Sequence, residues 1–290
     1  MRAHAISKVI MRLDHFYSVL KFVFFLSAGL QGNAIANPVS LETFRGEHIV
    51  SIDFNAQKAW AKRPDPSKSG LKGCLKKALV DLIPIPFFRP TFSCSPAQTL
   101  KAEVDRIHHL HAQDVFVPNI LEKTSQWIVL SDLGPTLDSL MALASLEDKK
   151  KLGIQAAGAL AALHQKGQWH GRGEIRDMTL TTSREIGFID FEENPNGPLS
   201  VKQARDFLLF LFSLSEFFED PQDMVAIVQN YKNQGPRWSY RIARVIFQIV
   251  SPFVKVLKIV PLGRDGVRLL KAITLIESTL KVIECPKNPS

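Results

Sequence analysis

The chain has 290 residues, of which 46% are hydrophobic and 22% are charged, and its formal net charge is +8 at pH 7. This length is enough to bury the core of a large domain, and the lack of repeats or low-complexity tracts argues against solenoid and disordered classes. The three cysteines, Cys74, Cys94 and Cys285, are odd in number and far apart, which indicates neither a disulfide framework nor a zinc site.

The N-terminal segment, residues 1–38, is basic at its start and apolar from 22 to 30. An Ala-Ile-Ala string at 34–36 imitates a signal-peptidase site, which leaves cleaved export open. The apolar stretch is short, and polar residues end it before it could span a bilayer. The alternative, which we favour, is an amphipathic anchor or an overlong start.

A strand pair is predicted next, because residues 49–54 and 58–62 alternate like the two strands of a hairpin. Residues 100–111 then predict a helix. Between these elements, the segment 70–95 is longer than a usual connection and passes from basic to apolar to aromatic. We expect it either to dock on a bilayer, to cover the substrate cleft, or to pack against the strands.

The stretch 127–140 predicts a buried strand that leads through a Gly-Pro turn into a helix. Residues 146–166 carry apolar side chains at a helical period, so a longer helix is expected there. Another apolar helix is expected in 202–214, with Asp206 at its start.

Two aspartates in the middle of the chain have the most informative spacing. Asp177 lies seven positions after His170, and Asp190 follows thirteen positions later, between an apolar run and Phe191. This pattern resembles the catalytic loop and the metal-binding loop of the protein-kinase-like fold, in which two strand ends deliver oxygen ligands to Mg²⁺ on the ATP phosphates. The resemblance therefore implies ATP and Mg²⁺ as cofactors, with Asp177 and Asp190 as metal ligands.

The same resemblance implies the fold class, an α+β bilobal protein-kinase-like fold. A small antiparallel β-rich N-lobe would take residues 39–135, including the amphipathic insert 70–95. A larger helical C-lobe would take residues 136–290 and carry the catalytic loop, the metal loop and basic C-terminal helices.

Further site residues follow from the resemblance. Lys62 ends an Ala-Trp-Ala-Lys string that is similar to the strand lysine of kinases, which contacts the α and β phosphates, and Glu103 would orient it. Asp132 and Leu133 lie where such enzymes hold adenine on backbone groups of the hinge. Asp206 would brace the backbone of the catalytic loop.

The catalytic loop departs from the kinase pattern at Arg172, which occupies the position of the usual base. A guanidinium stays protonated at physiological pH, so it cannot accept a substrate proton. We expect Arg172 to clamp the acceptor or the γ-phosphate, while Glu174 or Asp177 accepts the proton late. Glu192 stands where the metal-binding loop of kinases has glycine.

Three strings narrow the resemblance: Trp-His-Gly-Arg-Gly-x-x-Arg-Asp-Met, Phe-Ile-Asp-Phe-Glu and Gln-Ala-Arg-Asp-Phe-Leu. They look like a divergent branch of the bacterial lipopolysaccharide core kinases, the Kdo and heptose kinase group. The implied function is ATP-dependent phosphotransfer to a sugar of a lipopolysaccharide precursor or a related envelope glycolipid. The alternative is a pseudokinase-like nucleotide-binding or scaffold protein in envelope biogenesis, without turnover.

Positive charge is concentrated at the C-terminus. From Lys232 onward there are eleven Lys and Arg residues and three acidic ones, which accounts for the whole net charge. In 237–273 the basic residues interleave with apolar ones at helical spacing, and Pro252 and Pro261 are expected to break this run into short helices. Such helices can lie on an anionic membrane, and ordinary C-lobe helices with a solvated basic face are the alternative.

Partners and location follow from these features. An anionic membrane lipid or a lipopolysaccharide precursor is the expected partner, and no nucleic acid is expected because no recognition motif accompanies the charge. The chain is then expected at the cytoplasmic face of the bacterial inner membrane, bound peripherally. Export through the N-terminal signal is the alternative.

Overall fold

The computed structural model describes residues 39–64, 96–191, 197–256 and 264–284. The predictions made for the segment 1–38, the insert 70–95, Glu192 and the three cysteines lie outside these residues. Within the described ranges, no helix has both the length and the apolar character needed to cross a bilayer.

A four-stranded antiparallel sheet forms the smaller part of the molecule, in the order β1-β2-β4-β3. The strands are β1 (Ile49–Phe54), β2 (Gln57–Lys62), β3 (Ile120–Lys123) and β4 (Ile128–Ser131). The predicted hairpin joins β1 to β2 through Asn55 and Ala56, whose φ angles are +51° and +63°. Positive φ at both central residues is the geometry of a type I′ turn, whose twist matches that of the flanking strands.

Helices form the larger part of the described chain. They are α1 (Pro96–His111), α2 (Leu137–Leu143), α3 (Leu146–Gln165), α4 (Leu199–Leu214), α5 (Pro221–Gln234), α6 (Arg237–Val256) and α7 (Arg264–Glu284). A short hairpin, β5 (Met178–Leu180) and β6 (Ile186–Phe188), lies between α3 and α4. The predicted α+β class, with a small antiparallel sheet and a larger helical part, is confirmed.

Polar side chains cap the starts of helices α3 and α5. The hydroxyl of Ser145 accepts a hydrogen bond from the backbone N of Asp148 at 3.2 Å, at the start of α3. The carboxylate of Asp220 does the same for the backbone N of Gln222 at 2.9 Å, at the start of α5. Each cap satisfies an N–H that has no partner within the first helical turn, so these residues fix where the helices begin.

Two apolar cores correspond to the sheet and to the helical part. The sheet core includes the buried residues Phe44, Ile52, Ala59, Ala61 and Val129. Helix α1 contributes Leu100, Val104, Ile107 and Leu110 to the larger core. This helix follows the β1-β2 hairpin in the chain, yet its buried residues belong to the same core as those of the C-terminal helices.

Two details of the prediction were wrong. Asp206 is the eighth residue of α4 rather than a residue at its start, because the helix begins at Leu199, directly after Pro198. Pro252 lies inside α6 instead of ending it. Pro252 is exposed, so water can bond the carbonyl that loses its N–H partner, and the helix continues.

Candidate functional site

Lys62 lies where the sheet, helix α1 and the segment after β6 meet. Its Nζ is 2.7 Å from Oε1 of Glu103 and 2.8 Å from Oδ1 of Asp190. Lys62 is 5% exposed and Glu103 is 1% exposed, so both charges are removed from water and each stabilises the other. The structure thus brings together three of the residues that the sequence predicted for nucleotide and metal binding.

Helix α1 directs Glu103 toward Lys62. Leu100, Val104 and Ile107 are buried at helical spacing, and Glu103 lies on the same face, about one turn from Leu100 and from Ile107. A carboxylate on a buried face is stable when a cation and hydrogen bonds compensate for its lost hydration. The apolar pattern of the helix therefore determines where the carboxylate points.

Asp206 holds the backbone of the catalytic loop, as the resemblance implied. Its Oδ2 accepts a hydrogen bond from the backbone N of His170 at 2.6 Å, and its Oδ1 accepts one from that of Gly171 at 2.9 Å. Gly173 has a φ of +63°, and a Cβ at this residue would lie 2.7 Å from the carbonyl oxygen of Asp206. The loop can approach α4 this closely because position 173 is glycine.

His170 connects the catalytic loop to the segment that carries Asp190. Its Nδ1 accepts from the backbone N of Gly173 at 3.1 Å, which assigns the proton to Nε2, and Nε2 then donates to the carbonyl oxygen of Ile189 at 2.8 Å. The ring packs on Phe191, with centroids 4.9 Å apart. Asp190 has a φ of +66°, a left-handed conformation that aspartate adopts more readily than most residues.

Arg172 lies between the two aspartates predicted as metal ligands. Its Nε is 2.6 Å from Oδ2 of Asp177, and its Nη2 is 2.8 Å from Oδ1 of the same carboxylate and also contacts Oδ2 of Asp190. The pair with Asp177 is bidentate, which is the strongest geometry for a guanidinium and a carboxylate. Burial acts to lower the pKa of Arg172, but the charges of Asp177 and Asp190 outweigh it and raise that pKa well above its usual value.

Glu174, the other predicted proton acceptor, is paired with a different cation. Its Oε2 lies 2.7 Å from Nε of Arg176, and Glu174 is buried. It precedes the single 3-10 turn Ile175–Asp177, which brings Asp177 to Arg172. The catalytic roles of these residues stay predictions.

The predicted hinge residues lie between β4 and α2. The carboxylate of Asp132 accepts a hydrogen bond from Nε1 of Trp60 at 2.7 Å and pairs with Nζ of Lys58 at 3.1 Å, so β2 holds this side chain. Leu133 packs toward β6, because its Cδ1 lies 2.7 Å from the place that a Cβ on Gly187 would take. The roles of Asp132 and Leu133 in nucleotide binding stay predictions.

Two groups of side chains were missed by the sequence reasoning. The first lies behind the catalytic loop, where Nδ1 of His164 is 2.6 Å from the hydroxyl of Tyr231 and its Nε2 is 3.3 Å from Oδ2 of Asp206. Burial lowers the pKa of His164, and the hydrogen bond and charge of Asp206 oppose that shift. The sequence feature that could have indicated this group is His164 itself, a histidine in the last turn of the predicted helix 146–166.

The second group surrounds Trp169, directly before the catalytic loop. Its ring contacts two cations: Cζ of Arg106 is 3.9 Å from the ring centroid, and Nζ of Lys202 is 4.1 Å from it. Nη2 of Arg106 also donates to the carbonyl oxygen of Trp169 at 2.5 Å. Burial lowers the pKa of Arg106 to about 10, so it stays cationic at neutral pH. Since Arg106 lies one turn after Glu103, the helix that positions Lys62 also contacts the loop.

Comparison with known proteins gives distant similarities. No protein-family model matches the chain. A curated relative, an uncharacterized protein of Haemophilus influenzae, is 26% identical over 226 residues, which cover 74% of this chain and 85% of the relative.

Two solved structures are also similar to the chain. WaaP in complex with acyl carrier protein is 15% identical with a TM-score of 0.44, over 87% of this chain and 89% of WaaP. The bifunctional kinase-methyltransferase WbdD is 18% identical with a TM-score of 0.36, over 77% of this chain and 40% of WbdD. Both similarities are distant, and the resemblance to lipopolysaccharide kinases rests on the motifs of the chain itself. The kinase-like arrangement itself is read from the chain's own sheet, helix α1 and catalytic loop.

Proposed function

We propose that the site of Lys62, Glu103 and Asp190, called the cleft below, binds ATP, and that the chain transfers a phosphoryl group to a sugar of a lipopolysaccharide precursor or a related envelope glycolipid. The observation that carries this proposal is the position of Lys62, 2.7 Å from Glu103 and 2.8 Å from Asp190. A lysine held in this way is a recurring part of phosphoryl-transfer sites. Asp132 and Leu133 would hold the adenine, and the acceptor class comes from the resemblance of the motifs.

The proposed roles in the reaction do not depend on a strong base. Lys62 contacts the α and β phosphates, and Glu103 fixes its position. Phosphoryl transfer through a loose transition state depends on positioning and charge neutralisation more than on proton abstraction. Arg172 can therefore act by neutralising phosphate charge, while Asp177 or Glu174 accepts the proton late.

The contacts of Arg172 favour a second function, in which the chain binds nucleotide without turnover and serves as a scaffold in envelope biogenesis. Arg172 occupies the base position, and its bidentate pair engages both carboxylate oxygens of Asp177. Because both oxygens of this carboxylate already accept from the guanidinium, a substrate hydroxyl would have to displace a charge-assisted hydrogen bond to reach it.

A phosphotransfer assay distinguishes the phosphotransferase from the scaffold. Wild-type protein is incubated with γ-labelled ATP and extracted lipopolysaccharide, with and without Mg²⁺, and label transfer is measured beside the melting temperature. The matched control is the double variant Lys62→Met/Glu103→Gln, which removes the cation together with its buried counter-charge. Label transfer by the wild type alone supports the phosphotransferase. A nucleotide-induced rise in melting temperature without transfer supports the scaffold, and the absence of both contradicts the nucleotide site.

Helix α6 supports an anionic membrane surface as partner, which we place at the cytoplasmic face of the inner membrane in this proposal. Trp238, Val245 and Ile249 are exposed on one side of α6, and Cζ of Arg241 lies 5.5 Å from the ring centroid of Trp238. Exposed aromatic and aliphatic side chains beside cations are typical of helices that lie on anionic bilayers.

Vesicle binding tests this partner. Trp238→Ser/Ile249→Ser should weaken binding to vesicles that contain phosphatidylglycerol by about tenfold or more, since the lost contacts are apolar. Leu143→Ser is the matched control, because Leu143 is 92% exposed and lies at the end of α2. Binding that is equal for both variants, or insensitive to salt, would contradict the proposed surface.

A further inference from the structure

The carboxylates of the cleft are already matched by cations. Arg172 donates to both oxygens of Asp177 at 2.6 and 2.8 Å and contacts Oδ2 of Asp190. Lys62 donates to Oδ1 of Asp190 at 2.8 Å. Each of the four carboxylate oxygens therefore faces a cationic nitrogen. The Arg172 side chain is 15% exposed, so these pairs are screened less by solvent than surface pairs are.

A divalent metal does not fit this arrangement. Mg²⁺ requires near-octahedral oxygen ligands at about 2.0–2.1 Å, and the oxygens predicted for it belong to Asp177 and Asp190. The guanidinium of Arg172 lies between these two carboxylates, which is where a bridging Mg²⁺ ion would have to bind. The positive charges of the guanidinium and of Mg²⁺ would then be close together and would repel strongly.

We propose that Arg172 replaces the divalent metal of this cleft, so that the chain binds a nucleoside triphosphate as the metal-free anion. Arg172 and Lys62 are then the two fixed cations for the phosphates. The inference rests on the nucleotide site of the proposed function and specifies the form in which the nucleotide is bound. It holds for the phosphotransferase and for the scaffold alike.

The guanidinium suits this role chemically. It carries five N–H donors in a planar fork that matches phosphate oxygens. The contacts of Arg172 with described residues use Nε and Nη2, so the donors of Nη1 can serve a phosphate oxygen. Because Arg172 is covalently part of the loop, a chelator cannot remove its charge, whereas it does remove Mg²⁺.

Substitution of Arg172 should create a metal requirement. Arg172→Gln takes away the cation and leaves Asp177 and Asp190 as two neighbouring carboxylates with one cation, Lys62. Like charges in such proximity disfavour each other, and a hard divalent cation relieves their repulsion. The variant should therefore bind nucleotide with the help of a metal that the wild type does not use.

Calorimetric titration with ATP tests this inference, in excess EDTA and in excess Mg²⁺. The wild type should bind ATP at least as tightly in EDTA as in Mg²⁺. Arg172→Gln should lose about tenfold or more in affinity in EDTA and regain it in Mg²⁺. Arg184→Gln is the matched control, because it removes an exposed arginine from the turn between β5 and β6, and its affinity should not depend on Mg²⁺.

A second readout does not involve nucleotide. Binding of Mn²⁺ alone, followed by electron paramagnetic resonance, should find a site in Arg172→Gln and none in the wild type. Wild-type protein that binds ATP only with Mg²⁺ would overturn the inference and leave the proposed nucleotide site standing. Failure to bind ATP in either buffer would overturn both. The wild-type comparison needs no substitution, so it decides the question even if the variant does not fold.

Discussion

On each side of the cleft a cation is paired with carboxylates, but only one of the two sides follows the kinase pattern. On the sheet side, Lys62 is held by Glu103 at 2.7 Å, in the arrangement that the kinase resemblance implied. On the loop side, Arg172 occupies the base position and binds Asp177 and Asp190. The comparison teaches that the sheet side keeps the lysine-glutamate pair of the kinase pattern, while the loop side departs from that pattern at a single residue, Arg172.

The largest effect is expected from breaking the sheet side. Lys62→Met removes the cation that pairs with the buried carboxylate of Glu103. Loss of one partner from a buried ion pair lowers the free energy of unfolding by about 3–5 kcal/mol. Urea denaturation measures this loss. Adding Glu103→Gln should recover much of it, because a neutral amide does not need a cation. If the double variant is as unstable as the single one, the loss comes from packing and not from charge.

On the loop side, the bracing aspartate should give the next largest effect. Asp206→Asn keeps one acceptor oxygen for the two backbone N–H groups of His170 and Gly171, and a lost hydrogen bond to a charged group costs about 1.5–3 kcal/mol. Asp105→Asn on the exposed face of α1 is the matched control and should stay within about 0.5 kcal/mol. Equal urea midpoints for the two variants would show that the loop does not depend on this brace.

Behind the loop, the buried His164 makes the stability of the folded chain dependent on pH. Burial lowers its pKa from the usual 6.5, so the folded chain binds this proton less readily than the unfolded chain does. Stability is therefore full above pH 6.5 and declines as the pH falls toward the folded pKa, by up to about 1.4 kcal/mol per pH unit. His164→Gln should flatten this decline in urea unfolding measured across the range. An unchanged slope would assign the titration to other groups.

The smallest effect is expected outside both sides of the cleft, at the turn between β1 and β2. Ala56 has a φ of +63°, which glycine adopts without strain, so Ala56→Gly should raise the unfolding free energy by about 0.5–1 kcal/mol. Ala144→Gly is the control with the opposite sign, since Ala144 has a φ of −80° and glycine adds chain entropy there. Stabilisation by neither variant would mean that the turn relaxes in solution.

Short-range patterns explain what the sequence could predict. The alternation of 49–54, the helical period of 100–111 and the spacing of Asp177 and Asp190 each reflect contacts within one element or one hairpin. A residue pattern of this kind has a period, and the period reveals the face that is buried. The elements were therefore accessible from the sequence, whereas the pairing of Lys62 with Glu103 was implied by the resemblance to kinases.

Long-range side-chain pairs explain what the sequence could not predict. His164 and Tyr231 are 67 residues apart, and Arg106 and Trp169 are 63 apart, and no period links such positions. Asp190 meets both Lys62 and Arg172 from a left-handed backbone, which its residue type permits but does not require. The expected break at Pro252 was wrong because Pro252 lies on the exposed side of α6, where water can bond the freed carbonyl, and the sequence does not reveal that exposure.

The contact of Trp169 with Arg106 and Lys202 has a consequence for motion. Arg106 and Glu103 lie one turn apart on the same rigid helix, so a swing of α1 that withdraws Glu103 from Lys62 also pulls Arg106 off the indole ring. Because one rigid helix makes both contacts, they should form and break together, and the amides of α1 and of the catalytic loop would exchange with deuterium as a single cooperative unit.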